Sequence, residues 1–337
     1  MDALLCGQGA RGLRKSMFVS LFAGCLIILF FTLTSMIKVF SSNLIEPALT
    51  SEQHNSYRLV LITSELDTPF WAKVEKGAMA AAEQYGASLE VWGTYGSNRD
   101  DFLKNIEVAI VSKVDGIIVQ GLDTDEFKSL TKVKAASSGI PIITVANDVP
   151  MNESLRRTYV GSDHLEAGSM IARQLVSDMG FAGRVVLMVS DRQEYFQRSR
   201  LTGILNVLKP YPQIETLIVA AGDSRVDVAS ATNKLLNEAP NVDAFIAVSA
   251  NHAGSIIQEI SKRMQVEPFY IYSFDDSPET LTLMQQGKID ALIAQSPEAM
   301  GEQSVTHMIK WLTGEQVPLN PDGYFTDIKV LRAGETR

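Results

Sequence analysis

Short runs of aliphatic and β-branched residues alternate with stretches of helical periodicity over most of this chain. An apolar run of four to six residues without polar alternation predicts a strand buried on both faces. Nine strands are predicted: Arg58–Thr63, Leu89–Trp92, Gly116–Gln120, Pro141–Val145, Val185–Ser190, Glu215–Ala220, Ala244–Val248, Tyr270–Phe274 and Ala291–Ala294. The predicted helices between them include Trp71–Tyr85, Asp101–Val111, Leu165–Met179, Gln193–Leu208, Val226–Glu238 and Ala253–Met264. Such alternation implies right-handed βαβ crossovers and parallel sheets.

Nine strands exceed what one open sheet of this size holds comfortably. Two doubly wound lobes of about 130–150 residues each fit the length better. We therefore predict an α/β fold built from two parallel-sheet lobes.

The N-terminal segment has a different character. Residues 17–37 carry no charged side chain, and a membrane-spanning helix needs roughly 20 apolar residues. Arg11, Arg14 and Lys15 precede the run, so the positive-inside tendency keeps the N-terminus in the cytoplasm. We predict a cytoplasmic leader (1–16), one transmembrane signal anchor or signal peptide (17–40) and a polar tether (41–56), with the rest extracytoplasmic.

Processing of this segment stays open among three forms. Residues 22–25 resemble a lipobox ending at Cys25, although Phe22 replaces the usual aliphatic residue and the apolar run continues to Phe31. A removed signal peptide has an apolar region of only about 7–15 residues, which favours an uncleaved anchor over cleavage or lipidation. In an uncleaved anchor, Cys25 is a small hydrophobic residue of the membrane helix.

Composition excludes several classes of function. The net charge of −9 argues against a nucleic-acid-binding surface, which needs a basic face. Cys6 and Cys25 both precede the exported part, which therefore cannot form an internal disulfide. The four histidines are scattered without metal-ligand spacing, and the chain lacks a nucleophile motif and a phosphate-binding loop. We expect no enzyme activity, no metal and no cofactor.

Polar and aromatic side chains follow successive predicted strands. In open α/β sheets, ligands bind beyond the carboxyl ends of the strands. Aromatic planes stack on the C–H faces of a sugar ring, while amides, carboxylates and arginine bind its hydroxyls. Taken singly, these residues suit helix caps, turns and core packing; taken together, they favour a sugar site. The candidates are Thr68, Phe70, Trp71, Gln120, Asn147, Asp148, Arg200, Ser249, Asp275 and Gln295.

Several motifs, in order along roughly Tyr57 to Leu331, resemble periplasmic sugar-binding proteins of the ribose-binding type. This family shares the type I periplasmic-binding-protein fold with the ligand domains of lactose-repressor relatives. The motifs are Thr68-Pro69-Phe70-Trp71, Val114 to Gln120, Gly139 to Thr144, Tyr159 to Asp163 with Ala167-Gly168, Ser273-Phe274-Asp275 and Gly287 to Gln295. A repressor would need a helix-turn-helix where this chain has its apolar segment.

The resemblance implies two lobes joined by three hinge strands, with the ligand clamped between them. The implied lobes are 57–161 plus 296–326 and 162–295 plus 327–332. Phe70 and Trp71 resemble the family's stacking pair, beside Thr68. Gln120, Arg200, Asp275 and Gln295 match its polar ligand residues, and Ser249 falls where many members have Asn.

Two departures separate this chain from the family pattern. Many sugar binders have Asp-Arg or Asp-Ser after the fourth strand, where this chain has Ala146-Asn147-Asp148. Asp223 lies where an aromatic residue closes some sites. The resemblance therefore does not carry over the identity of the sugar.

Two roles fit such a binder. In the first, it is the solute-binding component of an ATP-driven sugar transporter and delivers its ligand to a membrane permease. In the second, it is a membrane-anchored sensor that presents its liganded form to a two-component histidine kinase. Both roles use hinge closure around the ligand.

Overall fold

The computed structural model describes residues 26–34, 56–96, 98–192, 194–263 and 269–332. The chain divides into two units, residues 1–55 and residues 56–337. Of the first unit, the structure describes one helix, α1 (residues 26–34).

The predicted leader, most of the predicted membrane segment and the tether up to residue 55 lie outside the described residues. Within the part of the chain that is described, no helix combines the length and the apolar character that crossing a bilayer requires. Membrane anchoring therefore stays a prediction from the sequence.

The second unit contains two six-stranded sheets. The first sheet has the order β11-β5-β4-β3-β1-β2, and its strands are all parallel. The second has the order β12-β10-β9-β8-β6-β7 and is parallel except for β12, which runs antiparallel to β10. The strands are β1 Arg58–Thr63, β2 Ser88–Gly93, β3 Gly116–Gln120, β4 Ile142–Val145, β5 Thr158–Gly161, β6 Ala182–Ser190, β7 Gln213–Ala221, β8 Ala244–Ala247, β9 Tyr270–Phe274, β10 Ala291–Ala294, β11 Tyr324–Phe325 and β12 Lys329–Arg332.

Helices cover both faces of each sheet. They are α2 Pro69–Gln84, α3 Arg99–Val111, α4 Asp125–Ser129 continued by a π-helical turn Leu130–Ala135, α5 Met151–Ser154, α6 His164–Met179, α7 Tyr195–Leu208, α8 Arg225–Glu238, α9 Ala253–Lys262, α10 Pro278–Gln285 and α11 Pro297–Leu312, with a 3₁₀ turn at Ala250–His252. The two-lobed parallel α/β architecture predicted from the sequence is confirmed.

Each sheet separates two apolar clusters. In the first lobe, Trp71 and Val74 of α2 pack with Met300 and Met308 of α11 on one face of the sheet. Phe102 of α3 belongs to the cluster on the other face. The second lobe repeats this plan, with α6 and α7 on one face and α8, α9 and α10 on the other.

Two helix pairs approach one another unusually closely, and the pair α6–α7 matters for the site. A Cβ on Gly168 would lie 2.0 Å from the carbonyl oxygen of Arg200, and a Cβ on Gly203 would lie 2.0 Å from that of Leu165. Only glycine fits at such contacts, so these two residues bring the N-terminal turn of α6 against the middle of α7.

The chain passes between the sheets three times, after β5, after β10 and after β11. The three crossings are hydrogen-bonded to one another. Ser162 Oγ donates to Gln295 Oε1 at 2.8 Å, Ser296 Oγ donates to the Asp327 carbonyl at 2.8 Å, and Thr326 N–H donates to the Gly161 carbonyl at 2.8 Å. The crossings therefore form one hydrogen-bonded hinge.

Candidate functional site

The carboxyl ends of the strands in the two sheets face each other. Lys73, in the helix after β1, forms an ion pair with Asp276, after β9, at 3.2 Å. The N–H of Asp123, after β3, donates to Glu194 Oε2, after β6, at 3.1 Å. We call the space between these strand ends the interlobe cleft. Several of the predicted ligand residues lie at the strand ends that border this cleft.

Arg200 is buried in the second lobe, with 4% of its surface exposed. Its Nη1 donates to the Val248 carbonyl at 3.0 Å, and its Nε lies 3.3 Å from His164 Nδ1. The guanidinium also stacks over the ring of Phe274, 4.2 Å from the centroid. Burial lowers the pKa of Arg200 to about 10, and the negative charge of Asp275 partly offsets this shift. Because a pKa of about 10 is still well above 7, the side chain is charged at neutral pH.

Asp275 follows β9 and is half-buried, with a backbone φ of +75°. This left-handed conformation is unfavourable for a residue with a Cβ and persists where the surroundings enforce it. Here its N–H donates to the Ile293 carbonyl at 2.8 Å, and its own carbonyl accepts from Thr280 Oγ1 at 2.9 Å. Burial and the neighbouring charge of Asp276 raise the pKa of Asp275 to about 6.

Glu65 belongs to this cleft, although it is not among the ligand residues predicted from the sequence. It follows β1 in the first lobe and is half-buried. Burial raises its pKa, and so do the charges of Asp67, Asp223 and Asp275. Since Asp223 and Asp275 belong to the second lobe, Glu65 faces across the cleft. Its position directly after a buried strand was the available signal, but nothing in the sequence distinguished it from exposed Asp67.

Gln120 ends β3 and is buried, with its amide orientation fixed by three donors. Its Oε1 accepts from Thr63 Oγ1 at 3.0 Å, from Ser64 Oγ at 3.0 Å and from Ser64 N–H at 2.9 Å. A backbone N–H can only donate, so the atom facing Ser64 must be the oxygen. The amide nitrogen is then directed away from β1 and is available as a hydrogen-bond donor.

The motif around Phe70 and Trp71 divides into packing and cleft residues. Thr68 caps α2, accepting from the Trp71 N–H at 3.4 Å. Trp71 is only 4% exposed and packs in the core of the first lobe. Phe70 is half-buried and meets Trp71 edge-on, with ring centroids 5.7 Å apart. Phe70 is therefore the more accessible of the two rings and the better candidate for ligand stacking, whereas Trp71 holds the first turn of the helix in the core.

Asn147 and Asp148, after β4, are in different environments. Asp148 is buried and forms a bidentate ion pair with Arg156, with Oδ1 2.6 Å from Nε and Oδ2 2.7 Å from Nη2. Thr144 Oγ1 also donates to Oδ1 at 2.7 Å. Asp148 would have to break these bonds to bind a ligand. Asn147 is half-buried two residues after β4, and its backbone carbonyl accepts from the Gly121 N–H at 2.9 Å.

Ser249 and Gln295 complete the predicted set. Ser249 follows β8 and is half-buried before the 3₁₀ turn. Gln295 follows β10 and accepts from Ser162 in the hinge. The structure therefore places Gln120, Asn147, Ser249, Asp275 and Gln295 at strand ends around the cleft, with the Arg200 side chain reaching the end of β8 from the middle of α7. It assigns capping, core packing and an internal ion pair to Thr68, Trp71 and Asp148.

The rim of the cleft carries ion pairs between the lobes. Besides Lys73–Asp276, Arg198 of α7 pairs with Asp123, which also binds Lys128. Burial alone would raise the pKa of Asp123, but its hydrogen bonds to Lys128 and Arg198 lower it overall. Burial raises the pKa of the neighbouring Glu194. Nowhere among the described residues do three or more His, Cys, Asp or Glu side chains cluster as a metal site would require.

The fold and cleft define a two-lobed α/β ligand-binding protein. The periplasmic binding protein domain family matches residues 59–316, most of the chain, and the chain belongs to this family. It is 24% identical over 281 residues to the ribose import binding protein of Escherichia coli strain K12, covering 81% of this chain and 90% of that protein.

Two solved structures show the same architecture. GanP, a glucose-galactose binding protein from Geobacillus stearothermophilus, aligns with a TM-score of 0.78 and 31% identity, over 83% of this chain and 99% of that chain. The XylFII–LytSN complex gives a TM-score of 0.73 at 24% identity, over 83% of this chain and 99% of that one. The latter likeness concerns the fold alone.

Proposed function

We propose that this protein binds a monosaccharide-sized carbohydrate outside the cytoplasm and closes its two lobes around it. The observation that carries the proposal is that a buried arginine, Arg200, and a half-buried carboxylate at positive φ, Asp275, lie close enough in the cleft for each charge to affect the pKa of the other. The names of the relatives, which are ribose import and glucose-galactose binding proteins, support a sugar as the ligand.

The proposed ligand contacts use complementary chemistry. Phe70 stacks on the ring, Asp275 and Glu65 accept from hydroxyls, and Arg200 and Gln120 donate to them. Asn147, Ser249 and Gln295 supply further neutral hydrogen bonds. Thr68, Trp71 and Asp148 act by holding the first lobe's strand ends in place.

We propose that the protein serves as the solute-binding component of an ATP-driven sugar transporter, with a membrane permease as its partner. Membership in a periplasmic binding protein family and the ribose import relative support this role and an extracytoplasmic location. No catalytic step is part of the proposal. The proposed membrane anchor rests on the uncharged run of residues 17–37.

The alternative role is a membrane-anchored sugar sensor that presents its liganded form to a histidine kinase. The structure of this fold in the XylFII–LytSN complex supports assembly with another protein. Deleting the gene separates the roles. Loss of sugar uptake with intact sugar-induced transcription supports transport, and the reverse result supports sensing.

Isothermal titration of the purified full-length protein against D-ribose, D-allose, D-glucose, D-galactose and polyols tests ligand binding. We expect saturable binding of at least one sugar and its recovery unchanged after dialysis. Absence of binding across the panel, or chemical conversion of a sugar, would refute the proposal.

A further inference from the structure

His164 lies at the point where the two lobes and the hinge meet. It is the first residue of α6, directly after the first crossing between the sheets, and only 6% of its surface is exposed. Its Nδ1 lies 3.3 Å from Arg200 Nε in the second lobe, and its Nε2 lies 3.0 Å from the Ala146 carbonyl and 3.3 Å from Tyr159 Oη in the first. One imidazole ring thus contacts both lobes.

The chemistry of the two neighbours determines which ring nitrogen carries the proton. A guanidinium has only donors, so Nδ1 must accept from Arg200; a carbonyl only accepts, so Nε2–H must donate to Ala146. A single neutral tautomer satisfies both contacts. Burial and the charge of Arg200 lower the pKa of His164 to about 3, so the ring stays neutral at neutral and mildly acidic pH.

The contact with His164 fixes the orientation of the Arg200 guanidinium. The guanidinium is planar, so holding Nε on His164 and Nη1 on the Val248 carbonyl determines where Nη2 lies. The close approach of α6 and α7 at Gly168 makes the contact possible, because the Gly168 Cα lies directly against the Arg200 backbone. Loss of the imidazole acceptor would leave the buried Arg200 Nε–H without a partner and the guanidinium free to rotate.

The contact with Ala146 connects this orientation to the first lobe. Ala146 directly follows β4, immediately before Asn147, and has a φ of +63°. Its carbonyl also accepts from Tyr159 Oη at 3.0 Å, so its position is fixed from two sides. Because the imidazole is rigid, both hydrogen bonds form together only when the β4 end and α7 keep the spacing seen here.

We propose that His164 is a positioning residue that couples the orientation of Arg200 to the relative position of the two lobes. The proposal rests on the proposed function, since Arg200 is the residue it presents to the sugar. His164 itself does not touch the ligand. It transmits the arrangement of the first lobe to the guanidinium of the second.

Three variants of the full-length protein separate the two contacts. His164→Phe keeps a ring at this position and removes the polar contacts with Arg200, Ala146 and Tyr159. His164→Asn retains an acceptor near the Nδ1 position, whereas His164→Gln retains a donor near the Nε2 position. Leu165→Ala, at an exposed neighbouring residue of the same helix, is the matched control.

Titration with the sugar of the panel that binds the wild type best measures the coupling. We expect His164→Phe to weaken binding roughly ten- to a hundred-fold, as for a lost charge-assisted hydrogen bond, and His164→Asn to recover more affinity than His164→Gln. In the Arg200→Ala background, His164→Phe should have little further effect, because the two residues act as one unit. Additive losses in the double variant would show a merely structural role and overturn the proposal.

A ligand-independent measurement keeps the inference distinct from the proposed function. Nitrogen-15 NMR of the sugar-free protein should show His164 neutral with the proton on Nε2 from pH 5 to 8. The Arg200 Nε–H resonance should shift in His164→Phe and stay unchanged in Leu165→Ala. The Nδ1–H tautomer, or an unshifted Arg200 resonance, would overturn the inference even if sugar binds. Failure of every sugar to bind, with these signals as expected, would refute the proposed function and leave the Arg200 positioning intact.

Discussion

Asp275 combines an unfavourable backbone conformation with a raised side-chain pKa. Its backbone is held at a positive φ by two hydrogen bonds, and its carboxyl has a pKa of about 6 rather than the ordinary 3.8. Between these two values the folded protein holds more protons than the unfolded chain. The free energy of unfolding of the sugar-free protein therefore falls as pH rises through this window.

The first prediction concerns Asp275→Asn. The variant should be more stable than the wild type above about pH 6, because it no longer buries an ionised carboxylate, and its stability should change less between pH 4 and 6. At neutral pH its sugar affinity should fall about ten-fold, since a charged acceptor is lost. Wild-type affinity should weaken below about pH 6, as Asp275 protonates, whereas the affinity of the variant should be flatter.

Denaturant unfolding and sugar titration at several pH values check both effects. Asp115→Asn, whose carboxylate caps the start of β1 away from the cleft, is the control. Equal pH slopes in the wild type and Asp275→Asn would contradict the assignment.

The aromatic pair gives a second prediction at the scale of single residues. Trp71→Ala should lower the free energy of unfolding by about 3–5 kcal/mol, because it empties a core position. Phe70→Ala should lose less stability and weaken sugar binding, because that ring is only half-buried. Unfolding and titration curves on both variants separate packing from stacking. A stable Trp71→Ala with strongly reduced affinity would assign the stacking to Trp71 instead.

At the scale of elements, sequence periodicity locates the buried strands and the long helices well. The predicted helix Trp71–Tyr85 is observed as Pro69–Gln84, with the Thr68 cap and Pro69 in the first turn. β5, β11 and β12 were not predicted, because each is short and its pairing depends on partners distant in the sequence. β11 has only two residues, and β12 is an edge strand ending in Lys329 and Arg332 with no apolar run of its own.

The candidate site also depends partly on contacts between distant residues, which the local sequence does not predict. Strand ends could be read from the sequence because parallel strands share one direction, which led to Gln120, Asn147 and Asp275. The Asp148–Arg156 pair depends on how the β4–β5 connection folds back, and the Arg200–His164 contact depends on the spacing of two helices. Neither contact has a signature in local composition.

The ion pair between Lys73 on α2 and Asp276 after β9 gives a prediction for these elements. The pair is partly exposed, so its expected contribution is only about 0.2–1 kcal/mol. Lys73→Glu should weaken sugar binding modestly by opposing closure, and adding Asp276→Lys to Lys73→Glu should restore it. The effect should shrink at high salt. Lys76→Glu, on the same helix and paired with Glu298 of its own lobe, is the control.

Titration at low and high salt measures this contribution. If Lys73→Glu and Lys76→Glu had the same effect, the interlobe pair would have no specific part in closure.

At the scale of the whole molecule, the hinge limits how the lobes can move. The three crossings are tied by the Ser162–Gln295, Ser296–Asp327 and Gly161–Thr326 hydrogen bonds, so they rotate as a unit. Ligand contacts from both lobes then favour one closed arrangement. In both proposed roles a membrane partner recognises the closed form, so the two roles differ mainly in how the N-terminal segment holds the protein at the membrane.

The last prediction concerns that segment. Residues 17–37 are uncharged, and in the anchor predicted from the sequence Arg14 and Lys15 lie on the cytoplasmic side while Lys38 reaches the outer interface. We expect most of the protein to remain full length in the membrane fraction, with residues 41–337 outside. Cys25→Ala, which removes the only lipidation candidate within the apolar run, should leave the mass and location unchanged apart from the substitution itself. Intact-mass analysis of both proteins decides the question. A chain beginning at diacylated Cys25, or a soluble chain beginning after Phe40, would contradict anchoring by an uncleaved helix. Either result would favour a transport receptor that is lipid-tethered or freely diffusing.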